Sequence, residues 1–323
     1  MLLQDVARWV NVFGFGLTVV FNYHLGRLLI SDASRHFGNY RWLMGVNILN
    51  LLVFSFLQML LNPVISIERN VLYVFSANPI SRLPKLTIRI LMAIYGATYC
   101  NSLVLCAVKF VFRFDRVCRG NQLFSTTRSL LLWFLFIFSV GTFWGLCIFE
   151  IAKETPYVDQ VISESLLNNY NCSLSSTTYV AAVYEKEDSI SGHFDWNFWG
   201  VVMGISFLTI IVSSAVVILV CIWKLARTLK TILGDNEKEQ KELFKAQRMQ
   251  TFLPFILFFL PIICVLILPI FHIDGNVGFS VSSILVSFFP CLDPIAVILS
   301  ISQYRMAMWG KKGEQAYSMQ QLA

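Results

Sequence analysis

The sequence predicts an all-α integral membrane protein built as a bundle of seven transmembrane helices. Of its 323 residues, 56% are hydrophobic and only 14% are charged, whereas soluble domains of this size carry about 25% charged residues. The apolar residues form seven blocks of about 20 residues, the length that a helix needs to cross the ~30 Å hydrocarbon layer of a bilayer. The sequence lacks the alternating segments of about ten residues that are typical of membrane β-barrels.

The seven blocks occupy residues 9–30, 42–61, 86–112, 129–149, 196–223, 252–271 and 277–301. The first block is the weakest, because it is interrupted by Asn11, Asn22, Tyr23 and His24. We expect it to remain as a span rather than to be cleaved as a signal peptide. The third block carries Arg89 near one end and Lys109 near the other. This arrangement indicates long cationic side chains that reach the two opposite membrane surfaces.

The sixth block begins at the sharpest change of composition in the chain. A charged segment that ends at residue 251 is followed at once by the apolar run FLPFILFFLPIICVLILPIF, residues 252–271. Pro254, Pro261 and Pro269 all lie in this run. A membrane helix tolerates them, because neighbouring helices and local kinks satisfy the carbonyl groups that proline leaves free. We therefore predict hinges at Pro261 and at Pro294 of the seventh block.

The distribution of basic residues predicts the orientation of the bundle. The segments that would share one side with the C-terminus hold 18 of the 25 Lys and Arg residues. The positive-inside rule therefore places the C-terminus and the short tail 302–323 in the cytoplasm, and the N-terminus outside. The net charge of +6 is explained by this topology, and we expect no binding to nucleic acid.

The loop at residues 150–195 fits an outside location. It holds eight Asp and Glu residues against two Lys residues. It also contains the only N-x-[ST] sequon of the chain, at Asn171. Asn171 is therefore the candidate site of N-glycosylation, with an unmodified asparagine as the alternative.

Four motifs narrow the class of membrane protein. They are GNYRWLM at 38–44, Pro63 with Phe75, ELFKAQRMQT at 242–251 followed by Pro254 and Pro261, and PCLDP at 290–294 followed by Tyr304-Arg305. On these motifs the chain resembles the nematode seven-transmembrane chemoreceptors. It is most similar to the class-r serpentine receptors of the str type, the family that includes the diacetyl odorant receptor. Phe114, Glu242 and Gln247 depart from residues that are usual in that family.

The resemblance implies a chemosensory, G-protein-coupled receptor in the plasma membrane, often on sensory cilia, that senses a small odorant or other chemical cue. It also assigns contact with a heterotrimeric G protein to the inner ends of the spans. The candidate residues for this contact are basic or aromatic: Arg113, Arg116, Lys245, Arg248, Tyr304 and Arg305. The structural alternative for Arg113 and Arg116 is that they only anchor the third span at the inner surface.

Asp293 is the main acidic residue inside the predicted spans. An unpaired carboxylate about 13 Å deep is costly, so we expect it to face a polar partner, with Asn47 and Asn50 of the second span as candidates. Because Pro290 and Pro294 flank Asp293, we interpret this region as a conformational switch rather than a ligand site.

A ligand is expected to bind from the outside between spans three, five, six and seven. The candidate contact residues are mostly aromatic: Tyr95, Tyr99, Phe198, Phe207, Cys264 and Phe279. Since the outer halves of the spans hold little charge, a small, neutral and volatile ligand is favoured over an ion.

The cysteine pattern predicts neither a metal site nor a cofactor, because no C-x-x-C pair occurs and no histidine has ligand spacing. Many seven-helix receptors bond the loop that contains Cys172 to the third helix. Here the candidate partner Cys100 would lie too deep, so a free Cys172 is the favoured alternative. Cys118, near the inner surface, is either palmitoylated or a free thiol.

Two other classes of membrane protein are alternatives to a receptor. A ligand-gated channel or transporter is the main alternative, although transporters usually show internal repeats that this sequence lacks. An intramembrane enzyme is not expected, since the chain contains no nucleophile–base pair or metal motif at catalytic spacing.

Overall fold

The computed structural model describes residues 2–31, 38–76, 83–175, 177–187, 194–233, 252–271 and 277–300. A helix lies at each of the seven apolar blocks: α1 (Leu2–Ile30), α2 (Tyr40–Leu61), α3 (Lys85–Cys118), α4 (Thr127–Glu150), α6 (Phe198–Leu233), α7 (Phe252–Ile267) and α8 (Val277–Ser300). An additional helix, α5 (Pro156–Tyr170), precedes α6. Within the described ranges, α1 to α4 and α6 are long and apolar enough to cross a membrane, whereas α7 and the apolar part of α8, Ile284–Leu299, are shorter.

Helix α3 occupies the centre of the bundle. It packs against α2, α4 and α6, and its residues are buried along most of its length. By contrast, α4 and α6 present apolar side chains outward, including Leu131, Leu135 and Leu219. These outward faces match a lipid environment, because the same side chains would be unfavourable as a contiguous surface in water. Helix α6 has 36 residues and is therefore about 54 Å long, so it extends beyond a ~30 Å hydrocarbon layer.

The prolines of α7 and α8 change the hydrogen bonding of both helices. Pro294 has no N–H to offer to the carbonyl of Pro290, which lies one turn earlier in α8. The side chain of Asn22 in α1 donates to that carbonyl instead, at 3.2 Å. In α7 the segment Phe255–Phe259 forms a π-helical turn immediately before Pro261. Such a turn is a common site of bending within a helix.

A small antiparallel sheet covers one end of the bundle, where the sequence predicts only loops between the spans. Its strands are β1 (Pro63–Glu68), β2 (Val71–Ser76) and β3 (Tyr179–Val183), in the order β1-β2-β3. Arg69 and Asn70 both have positive φ angles, 41° and 65°, as the tight turn of a two-residue hairpin requires. A second pair, β4 (Glu185–Glu187) and β5 (Phe194–Trp196), leads into α6. We call β1, β2 and β3 the covering sheet.

Both faces of the covering sheet are buried. Because side chains alternate along a strand, one face carries Ile67, Leu72 and Ala182 toward the bundle, and the other carries Tyr73 and Phe75 toward α5. Helix α5 begins at an N-cap, Thr155, which is followed by Pro156, a combination that favours helix initiation. The segment expected to be a polar outer loop therefore forms a second layer over the sheet.

Candidate functional site

A cavity lies between the covering sheet and the helical bundle. Its volume is about 130 Å³, and its walls come from α3, α4, α6, α7, α8 and all three strands of the sheet. Almost every lining side chain is apolar or aromatic. An apolar cavity of about 150 Å³ accepts a molecule the size of benzene, so this one suits a compact organic molecule with few polar groups.

The sheet places alternate side chains over the cavity. Leu72 and Val74 of β2 lie opposite Ala182 and Val180 of β3, and all four line the cavity. Ile65 of β1 pairs with Val74 and completes this surface. The register therefore closes the end of the bundle with aliphatic side chains.

Six residues were predicted to contact a ligand. Of these, three line the cavity: Tyr95, Tyr99 and Phe207. Two others, Phe198 and Cys264, do not line this cavity, because their side chains are exposed on the outer surface of their helices. Both residues lie in helices that are apolar on every side, so the sequence gives no signal of which face turns inward. Phe279 lies in α8, but its side chain is outside the described part of the structure.

Aromatic rings connect the cavity to α7. Tyr99 stacks on Phe258 with ring centroids 4.2 Å apart, and its hydroxyl donates to the carbonyl oxygen of Phe258 at 2.7 Å. Phe258 stacks in turn on Phe289 of α8 at 4.3 Å. Phe258 belongs to the π-helical turn and Pro261 lines the cavity, so the cavity lies next to the irregular part of α7.

A buried ion pair lies deeper in the bundle. The Nζ atom of Lys109 is 2.8 Å from Oδ1 and 3.0 Å from Oδ2 of Asp293, and both residues are only 7% exposed. The side-chain amide of Asn47 donates to the same carboxylate at 2.9 Å. The pair thus joins α2, α3 and α8 through one carboxylate.

This geometry corrects two expectations. Lys109 does not extend to a membrane surface, because the carboxylate of Asp293 holds its ammonium group inside the bundle. Asn50 is not a partner of Asp293, since its amide donates to the Thr98 carbonyl at 3.2 Å and to the Ser102 hydroxyl at 2.8 Å. The sequence placed Asp293 and Asn47 correctly as polar neighbours but gave no sign that Lys109 would join them.

The opposite end of the bundle carries the basic end of α3. Arg113 is half-buried, and its guanidinium donates to the hydroxyl of Tyr40 in α2 at 3.3 Å. Arg116 is also half-buried, one turn further on. Asp115 was not predicted to have a role. Its buried carboxylate accepts from the backbone N–H of Leu123 at 2.8 Å and so fixes the connection to α4.

Four of the predicted coupling residues lie outside the described residues: Lys245, Arg248, Tyr304 and Arg305.

Asn171 is described and exposed, and it ends α5 with a left-handed conformation at φ 54°. Cys100 and Cys172 are both free thiols, and Cys100 faces the Val140 carbonyl of α4. Across the described ranges, His, Cys, Asp and Glu side chains form no cluster of three that could hold a metal ion.

Comparisons with known proteins agree with the architecture. The family model described as serpentine type seven-transmembrane GPCR chemoreceptor Str matches residues 7–309. The chain is 26% identical over 311 residues to serpentine receptor class r-10 of Caenorhabditis elegans, covering 92% of this chain and 90% of the relative. It is 25% identical to G-protein coupled receptor str-33 of the same species, covering 95% and 90%. Serpentine receptor class r-10 of Caenorhabditis briggsae is 27% identical, with 96% and 90% covered.

Proposed function

The chain belongs to the Str family of serpentine seven-transmembrane chemoreceptors, and from this premise we propose that it binds a small neutral molecule in the cavity beneath the covering sheet. We further propose that binding activates a heterotrimeric G protein at the opposite end of the bundle. The observation that carries the proposal is the cavity itself. It is apolar, about 130 Å³ in volume, and in contact with the irregular part of α7.

Physical continuity supports transmission from the cavity to α7. A ligand that touches Tyr99 alters a ring that both stacks on Phe258 and donates to its carbonyl. Because π-helical turns and prolines allow a helix to bend at low cost, Pro261 is the proposed hinge. A ligand shifts the equilibrium between two positions of α7 only by the difference between its binding free energies for those positions.

The second proposed element is the pair formed by Lys109 and Asp293. It is polar, buried and close to Pro294, which already interrupts the backbone hydrogen bonding of α8. Rearranging such a pair is costly unless both charges keep partners. The pair therefore suits a two-position switch, with Asn47 holding the carboxylate in the position described above.

The proposed orientation places the covering sheet and Asn171 outside the cell, and Arg113 and Arg116 at the cytoplasmic surface. The excess of basic residues at that end supports this choice. Together with Lys245, Arg248, Tyr304 and Arg305, these arginines form the proposed surface for the G protein. The membrane of a sensory cilium is the proposed location, by analogy with chemosensory receptors of this type.

Filling the cavity tests the proposed ligand site. Ala182→Leu adds bulk beneath the sheet, and we expect it to abolish ligand-evoked nucleotide exchange on a purified G protein when the receptor is held in lipid nanodiscs. The control places the same residue at an exposed position of α4, Ser139→Leu, and should respond normally. A full response from the Ala182 variant, at equal receptor concentration, would place the ligand elsewhere. Ligand-evoked ion flux through a bilayer that contains only this protein would instead indicate a channel.

A further inference from the structure

Tyr184 is one of the few residues that bring a polar side-chain atom to the mostly apolar lining of the cavity. It follows β3, lines the cavity and is 3% exposed. Its hydroxyl oxygen is buried and has no hydrogen-bond partner anywhere in the part of the chain that the structure describes. Its backbone is fixed, because the carbonyl accepts from the N–H of Asn197 at 2.8 Å and the N–H donates to Asn70 at 3.4 Å.

Gly204 of α6 makes room for this side chain. A Cβ atom at residue 204 would lie 2.7 Å from Cε1 of Tyr184 and 3.3 Å from its hydroxyl oxygen. The first distance is shorter than any normal contact between carbon atoms. Since Gly204 also lines the cavity, the missing side chain lets the phenol ring of Tyr184 pass close to α6 beside the cavity.

The other tyrosines around the covering sheet do not share this property. The hydroxyl of Tyr73 donates to Ser165, that of Tyr170 to Ser66, and that of Tyr179 to Asp159. Buried polar atoms nearly always have partners, because a buried donor that is left unpaired loses its bonds to water without replacement. Burial raises the pKa of Tyr184 to about 12, so its hydroxyl remains a proton donor at neutral pH.

We propose that Tyr184 is the recognition residue of the cavity and that its hydroxyl donates a hydrogen bond to an acceptor oxygen of the ligand. The ligand class is then a compact ketone, aldehyde, ester or ether, and a hydrocarbon of the same shape binds more weakly. This inference rests on the proposed function only in that it uses the same cavity. A cavity of about 130 Å³ limits such ligands to roughly the size of benzene.

Matched pairs of compounds isolate the hydrogen bond. Cyclopentanone and methylenecyclopentane differ only in whether the ring carries C=O or C=CH₂, and so do cyclohexanone and methylenecyclohexane. The purified receptor in lipid nanodiscs, without G protein, is titrated with each compound, and affinity is obtained from the ligand-dependent rise in its thermal stability. We expect the wild-type chain to bind the ketones about tenfold more tightly than the matched alkenes, as one additional hydrogen bond allows.

Tyr184→Phe removes the hydroxyl and keeps the ring. We expect this variant to lose about tenfold in ketone affinity while its alkene affinity is unchanged, so that the preference disappears. The matched control is Tyr73→Phe, which removes a hydroxyl from the α5 face of the same sheet and should retain the preference. Gly204→Ala provides a second variant, because the added carbon displaces the ring of Tyr184 and should also remove the preference.

Three results would overturn the inference: equal binding of ketones and alkenes by the wild-type chain, a preference that survives Tyr184→Phe, or failure of both ketones to bind. The binding assay contains no G protein, so it tests ligand recognition independently of the proposed signalling function. A ketone that binds through Tyr184 but never promotes nucleotide exchange supports the recognition residue and counts against the receptor activity. A receptor that activates a G protein equally well with ketone and alkene counts against the recognition residue alone.

Discussion

Replacing Asp293 by asparagine removes the negative charge of the buried pair while leaving an oxygen that can still accept from Asn47. The change therefore isolates the ion pair with Lys109. Both residues are 7% exposed and the shortest N–O distance is 2.8 Å. The free-energy cost that is typical of breaking a buried ion pair therefore applies. Removal of one partner leaves an uncompensated buried charge and costs about 3–5 kcal/mol. Lys109→Met should cost a similar amount, because the carboxylate then keeps only the amide of Asn47.

The double variant distinguishes an ion pair from two independent effects. When Lys109→Met and Asp293→Asn are combined, no charge remains buried. Replacing a buried pair with neutral groups is often neutral or stabilising, so the double variant should be more stable than either single variant. The expected coupling energy is several kcal/mol, far above the ~0.5 kcal/mol within which distant substitutions add.

The assay compares thermal denaturation of the four purified proteins in nanodiscs with their surface levels by flow cytometry. Single variants as stable as the wild type, or costs that simply add in the double variant, would refute the ion-pair reasoning. The signalling role is tested separately in the double variant. If it reaches the surface and still responds fully to every agonist, the pair is structural and does not act as a switch.

Three further predictions concern other parts of the chain. Tyr99→Phe leaves the carbonyl of Phe258 without its side-chain donor, and we expect a loss of about 0.5–1.5 kcal/mol in stability together with a changed basal signal, both measured against the wild type in nanodiscs. Arg113→Glu should abolish ligand-evoked signalling at normal surface level. The control Arg119→Glu, at an exposed position of the same region, should signal normally. An unchanged response from Arg113→Glu would mean that Arg113 only anchors α3 at the membrane surface. Ser173→Ala destroys the sequon without altering the residue in the left-handed conformation, and it should abolish the mobility shift that glycosidase treatment produces in the wild-type chain; a wild-type chain that shows no shift would contradict glycosylation.

The sequence was sufficient to predict the family and the seven-transmembrane fold, and the comparisons confirm both. The reason is physical: long apolar blocks and the change of composition before Pro254 can be recognised from the order of residues alone, without knowledge of their contacts. The orientation stays a prediction, because it rests on the basic residues alone.

Side-chain placement was less predictable, since apolar helices carry no amphipathic signal. Tyr99 and Phe207 line the cavity, whereas Phe198 turns outward although its expected depth and the general architecture suggested otherwise. Lys109 was misplaced for a different reason. Its partner Asp293 is 184 positions away in the chain, and spacing alone cannot reveal a pair at that distance.

The covering sheet was missed because its strands are only five or six residues long and lie in the connections between the apolar blocks. Tyr184 was overlooked with it, since a tyrosine near Glu185 and Lys186 in sequence reads as part of a solvated loop. Only the pairing of β2 with β3 shows that this region is buried. A sheet made from two distant segments of the chain is a non-local feature, and a short window of sequence does not contain it.

The division of the cavity wall between strands and helices bears on how such a receptor can diversify. The strands that close the cavity come from the connections before α3 and before α6, whereas Tyr99, Phe258 and the buried pair belong to the helices. Substitutions at strand positions such as Val74 and Ala182 therefore alter the shape of the cavity without touching the helical contacts. Under the proposed function, gene duplication followed by change in these two short segments would generate new chemical preferences on an unchanged helical core.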